Sequence, residues 1–322
     1  MIATEIIVRQ LLIFGILIGI GAIGFWRKVI SSVMKDSLAR IVIDVTLPFL
    51  IFTTFTNMKY EPSLISNGLM VFVLAFVNLV ILYGVGHLSS KFLGLSSAKQ
   101  VVHTLHTMFG NIVFLGFPLL DALFPDGLGI FYGAVYQLAS NTVTFTYGVF
   151  KLSKGSQRGG WRSLLNLNTA AILLGAIALA FSIKLPSVVS TPFEQLGRST
   201  SPLSMVYIGA MLASMNIKKA VFQKSIFVLS LNKLLLAPVL IAFVYLAILS
   251  AIGIDISKVA FFVLILQAAM PCQTIVVVLS HRYNGDYVLA GANLFVTTLF
   301  SILSLPLIYL CLEWIWDYFG GF

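Results

Sequence analysis

Apolar residues in this chain run in blocks, and the blocks recur at a nearly regular interval. Their limits are approximately 7–26, 38–57, 64–85, 100–121, 127–150, 163–183, 196–215, 225–248, 257–280 and 287–314. Each holds about 20 residues, the length at which a helix crosses the roughly 30 Å hydrocarbon layer of a bilayer. Short polar connectors separate them. A bilayer core offers the backbone no water, so a spanning segment must pair its own amides and carbonyls, which favours helix in every block. The pattern predicts an all-α polytopic membrane protein with ten transmembrane helices.

Composition strengthens this expectation. Hydrophobic residues make up 59% of the 322 positions and charged residues 10%, with a mean hydropathy of +1.02. A soluble domain carries about 45–50% apolar and about 25% charged residues. The net charge of +9 would fit a nucleic-acid binder only if the basic residues shared a face, and they do not. They fill gaps between apolar blocks. The odd-numbered connectors hold fourteen of them and the opposite side five, with Lys233 inside a block. By the positive-inside rule the odd connectors are cytoplasmic and both termini face outward from the cell membrane. Nucleic acid is excluded as a partner; the lipid bilayer takes that place. Cys272 and Cys311 fall inside apolar blocks and form no disulfide framework. The N-terminal MIATEIIVRQ lacks the basic region of a cleaved signal, so the first block is read as a retained helix.

The longest polar connector divides the chain into 1–150, a cytoplasmic connector at 151–162, and 163–322. Five spans on each side force opposite orientations, predicting two inverted five-helix repeats. A Gly-Ala pair recurs in the last span of each half, at Gly133-Ala134 and Gly291-Ala292, each after a short polar hairpin.

Polar groups and helix breakers within hydrocarbon mark candidate chemistry. The fourth span carries Gly110, Asn111, Gly116 and Pro118; the ninth carries Pro271 with Gln267, Gln273 and Thr274 beside it. Proline removes an amide donor and frees a carbonyl one turn back. Matched interruptions in two halves point to a midplane binding site made by broken crossing helices 4 and 9, where half-helix N-termini suit an anion. Gly133, Gln137 and Asn141 share a face of the fifth span, and Asn293, Thr297 and Ser301 one of the tenth. These either line the site or pack helices together. For ion coupling, Asp44 is the one carboxylate clearly inside a span, with Gln267, Thr297 and Lys233 as further candidates. Asp44 has a salt bridge or interfacial hydration as its alternative; Lys233 could bind an anion, pair with Asp44, or snorkel to the inner surface. His103 and His106 could relay protons or serve as hydrogen-bonded polar residues, and no metal site is completed around them. No HExxH, GxSxG or P-loop occurs, so no enzyme and no cofactor are expected beyond a sodium or proton gradient.

Certain stretches carry a resemblance. NIVFLGFPLL (111–120), AMPCQ (269–273) followed by HRY (281–283), SLPL (304–307) and LPFLIF (47–52) resemble the auxin efflux carrier family over essentially the whole chain. Plant auxin exporters and bacterial permeases for malate or malonate belong to it. The resemblance implies a fold like that of bile acid sodium symporters. Spans 1, 2, 6 and 7 would form a scaffold, spans 3–5 and 8–10 a transport core, and Asn111 and Pro118 would belong to the substrate region. It implies secondary active transport of a small organic anion by elevator-like or rocking motion. A passive channel or a membrane-embedded sensor is the alternative, and a homodimer stays open. Two departures stand out: the long cytoplasmic loop of plant members is absent, and Val276 lies where plant members tend to carry another proline.

Overall fold

The computed structural model describes residues 2–155, 165–215 and 221–319, with the side chains of 2–8 and 11 left aside. The expected connector at 151–162 therefore lies outside the described residues from 156 on. So do Arg158, Arg162, Lys218 and Lys219 of the charge pattern.

The elements are α1 (Ile2–Trp26), α2 (Ser32–Asn57), α3 (Pro62–Phe92), α4 (Ser97–Met108), α5 (Ile112–Leu123) and α6 (Leu128–Val143, carried on to Leu152). They continue with α7 (Leu167–Ala180), α8 (Ser187–Arg198), α9 (Thr200–Ser214), α10 (Lys224–Ile252), α11 (Lys258–Ala269), α12 (Thr274–Arg282) and α13 (Tyr287–Phe319). No strand occurs among the described residues. By length and composition α2, α3, α10 and α13 can cross a membrane, while Leu12–Trp26, α5, α7 and α11 are shorter apolar helices. This is consistent with a polytopic membrane protein. One element was not foreseen. Helix α8 is built from SVVSTPFEQLGR, too polar and too short to register as an apolar block, and it packs on α2 through Phe193 and Phe49, ring centroids 4.5 Å apart.

Several helices contain a turn of π-helix, and three of these turns stand directly before a proline. Val42–Thr46 precedes Leu47-Pro48, Ile112–Gly116 precedes Phe117-Pro118, and Asn232–Leu236 precedes Ala237-Pro238. The cause is steric. A proline ring inside an α-helix strikes the carbonyl four residues earlier, and the proline has no N–H to offer it. Widening the turn before the ring moves that carbonyl aside without ending the helix.

The chain divides into two compact units. The first comprises Met1–Gly68, Val113–Val135 and Leu165–Met215; the second comprises Leu69–Ile112, Tyr136–Leu164 and Asn216–Phe322. In the first unit α1 and α9 approach so closely that glycine is required on both sides. A Cβ on Gly21 would run into the carbonyl of Val206, and one on Gly209 into that of Ile18. Small residues at such contacts let backbones meet where lipid supplies no hydrophobic drive for association. In the second unit a buried polar bracket joins three helices. The Tyr245 hydroxyl of α10 bonds Asn78 of α3, and the Asn78 amide donates to Leu264 O of α11 at 2.8 Å.

Candidate functional site: a crossing of two broken helices

Both interrupted helices meet inside the second unit. Helix α4 ends at Met108 and α5 begins at Ile112; α11 ends at Ala269 and α12 begins at Thr274. Between them the backbone is extended, with φ/ψ of −100°/124° at Phe109, −60°/143° at Met270 and −78°/131° at Gln273. The two extended pieces run antiparallel, bridged at Gly110 and Cys272. The amide of Asn111 donates to Pro271 O at 2.7 Å, and the amide of Gln273 donates to Phe109 O at 3.2 Å. Groups that the breaks would leave bare in hydrocarbon thus satisfy one another. Pro271 fits because its position needs no donor. Gly110 fits because a Cβ there would lie 2.8 Å from Met270 Cβ and 3.0 Å from Gln267 O. A third tie comes from α13: the amide of Cys272 donates to Thr297 Oγ1 at 3.1 Å, and that hydroxyl donates to Asn293 O at 2.7 Å.

Lys233 is the main electrostatic feature. Its side chain is fully buried on the π turn of α10. The ammonium donates to Thr107 O at 2.9 Å and reaches Ala268 O at 3.5 Å. These carbonyls belong to the last turns of α4 and α11. A helix C-terminus carries partial negative charge and carbonyls without intrahelical partners. One cation therefore serves both half-helix ends at once. The snorkelling reading of Lys233 gives way to this geometry.

A set of buried side-chain atoms around the crossing has no hydrogen-bond partner among the described residues. It includes both amide atoms of Gln267, Oε1 of Gln273, Oγ1 of Thr274 and Oδ1 of Asn293. Leaving such an atom unmet costs about 1–3 kcal/mol. Asn293 Nδ2 lies 3.3 Å from His106 Nδ1, and Ser89 Oγ lies 3.0 Å from His103 Nε2. Both histidines are fully buried.

The structure thus brings Gly110, Asn111, Pro271, Gln273, Gln267, Thr274, Asn293, Thr297 and Lys233 to one unit, at the crossing or on the elements bonded to it. Gln137 and Asn141 stand on α6 in that unit, the first buried and the second half-buried. Gly116 and Pro118 lie in the part of α5 that belongs to the first unit, as does Asp44, whose side chain is exposed on the α2 π turn. Sequence reasoning missed Thr107 and Ala268, which act through backbone carbonyls that no side-chain pattern marks. It saw His106 without its partner, because Asn293 is 187 residues away. Among the described residues no group of three or more His, Cys, Asp or Glu is arranged to hold a metal ion.

A family model described as "Membrane transport protein" matches residues 7–161 and 158–309, together nearly the whole chain. The chain belongs to this membrane transport family. Two archaeal relatives match over most of their length. An uncharacterized transporter of Methanothermobacter thermautotrophicus is 26% identical over 293 residues, 88% of this chain and 92% of its own. An uncharacterized transporter of Methanocaldococcus jannaschii is 25% identical over 297 residues, 88% of this chain and 93% of its own. Membership makes the crossing part of a transport protein.

Proposed function

We propose that this membrane transport protein is a secondary active carrier of small organic anions, monocarboxylates of the auxin type or dicarboxylates such as malate and malonate. Its substrate region is the crossing of the two broken helices. One observation carries the reading. Two half-helices begin at hydrogen-bonded breaks, and buried polar atoms of Gln267, Gln273, Thr274 and Asn293 stand beside them without partners. Such atoms persist in a low-dielectric interior when a ligand or its water meets them. Half-helix N-termini supply amides and a positive dipole end to a carboxylate, and Lys233 adds fixed positive charge from the opposite helix ends. Gln137 and Asn141 belong to the same proposal as lining residues, and Gly116 and Pro118 as the helix breakers that follow Asn111 in α5.

The proposal includes ten spans in two inverted repeats, alternating access of elevator or rocking type, and residence in the cell membrane with both termini outside. The auxin efflux carrier resemblance and the charge distribution support these parts. Asp44, Gln267, Thr297 and Lys233 are the candidates for sodium or proton coupling.

Purified protein in proteoliposomes tests the reading. Radiolabelled malonate and indole-3-acetate should enter saturably, and unlabelled substrate inside should accelerate uptake. Asn111→Ala should lower uptake at least tenfold with an unchanged melting profile. Flux that rises linearly with concentration, without counterflow, would favour a channel and sink the carrier reading. Asp44→Asn should abolish uphill accumulation if that carboxylate couples the gradient.

A further inference from the structure

The transport reading leaves one buried contact without a task. His106 stands on the last turn before the first break, and its Nδ1 faces the Asn293 carboxamide. The Asn293 Oδ1 is buried without a partner among the described residues, and the His106 ring also faces the backbone of Gln273 in the second break. We propose that His106 is a proton-binding site whose protonation turns the Asn293 carboxamide end for end, so that a proton and a carboxylate are taken up together.

Donors and acceptors decide the tautomer. A carboxamide NH2 can only donate, so an Asn293 Nδ2 at 3.3 Å requires a bare lone pair on His106 Nδ1. The neutral ring therefore carries its proton on Nε2. A proton added at Nδ1 sets donor against donor. Half a turn about the last side-chain bond of Asn293 repairs this: Oδ1 accepts from Nδ1–H, and Nδ2 moves to where Oδ1 stood. No covalent bond forms or breaks except N–H, and the proton comes from water.

Two consequences reach the crossing. Asn293 is tied to it through Thr297, which accepts from the Cys272 amide and donates to Asn293 O. After the turn, the unpartnered acceptor is replaced by a pair of donors. A unit positive charge also joins that of Lys233, whose ammonium bonds the carbonyl of the very next residue, Thr107. Two cations so close in a buried region are unfavourable alone and favourable once a carboxylate lies between them and the half-helix N-termini. Anion and proton then assist each other, and by linkage the assistance is mutual.

Other ionisable groups leave this role to His106. On its own helix is His103, held at Ser89. Helix α10 presents Lys233, and the second break presents Cys272. Helix α3 carries Tyr83 and His87, which line a separate cavity of about 190 Å³ with Gln100, Thr104 and Lys151 of α6. Helix α12 carries His281 and Arg282 only on its exposed last turn. Helix α13 has no ionisable side chain between Tyr287 and Tyr309.

This inference rests on the anion reading for its second ligand, and the test separates the two. Full-length protein in nanodiscs is titrated with acetate, malonate and indole-3-acetate from pH 5.5 to 8. With one proton taken up per anion, the Kd of a binding probe should fall about tenfold per unit of acidification above the midpoint. His106→Gln, whose amide can still bond Asn293, should flatten that slope, while His103→Gln keeps it. A wild-type slope in His106→Gln, or loss of the slope in Asp44→Asn, overturns the proposal. A second measurement needs no anion. In 15N-labelled protein the His106 ring and Asn293 side-chain amide resonances should shift with one common midpoint. A His106 ring that titrates beside an unmoved Asn293 amide, or never titrates, also overturns it. If the resonances move together but none of the three probes binds at any pH, the anion reading falls and the proton switch stands.

Discussion

At the scale of single residues, the crossing depends on a few atoms that allow no substitution. Gly110→Ala would force a methyl group to 2.8 Å from Met270 Cβ and 3.0 Å from a carbonyl oxygen. Neither neighbour can retreat without separating the paired extended segments. The expected result is a loss of about 1–3 kcal/mol of stability and a larger loss of transport, read by thermal melting and uptake. Lys233→Met keeps the volume and removes the shared cation. The last-turn carbonyls of α4 and α11 then lose their common donor. Amide hydrogen exchange around 105–112 and 266–274 should quicken by about an order of magnitude, equivalent to roughly 1.4 kcal/mol of local opening. Unchanged exchange in both segments would show that the ammonium is a bystander.

Among the elements, the π turns assign a second task to the prolines. Pro238 makes the helix widen at Asn232–Leu236, and Lys233 sits on that widened turn. Pro238→Ala lets the turn relax to regular α-helix, which rotates preceding residues by about one position, ~100°. Transport should then fall more than melting temperature; equal losses would argue against this positioning role. Packing of α1 on α9 makes a separate prediction. Gly209→Ala should cost at least 1–3 kcal/mol through overpacking, whereas Gly19→Ala, with open space at its Cβ, should be close to neutral in the same melting assay. The elements were largely legible in the sequence, because an apolar block of fixed length has few alternatives in a bilayer. The breaks were legible because Gly110 and Pro271 interrupt otherwise continuous apolar runs. Helix α8 was not, since it stays too polar and too short to stand out. The surroundings of Lys233 were not legible for a physical reason. Its buried position is made affordable by carbonyls from two helices that are distant in the chain, and nothing local announces them.

Considering the whole molecule, the two units draw on scattered stretches of chain, and the second collects segments from both halves of the sequence. Family membership places the chain among membrane transport proteins, and the archaeal relatives align with it along most of their length. The candidate site was only half legible at this scale. Which residues interrupt helices could be read; which partners they meet could not, because contacts such as His106 with Asn293 join residues far apart.

The bridge between Gly110 and Cys272 also bears on how the protein is made. A ribosome adding roughly 5–20 residues per second needs on the order of ten to thirty seconds to pass from the first break to the second. Throughout that interval the amide of Asn111 and the carbonyl of Phe109 exist without their eventual partners. A nascent chain paused there must keep its half-finished helix near water, the insertion machinery or a chaperone.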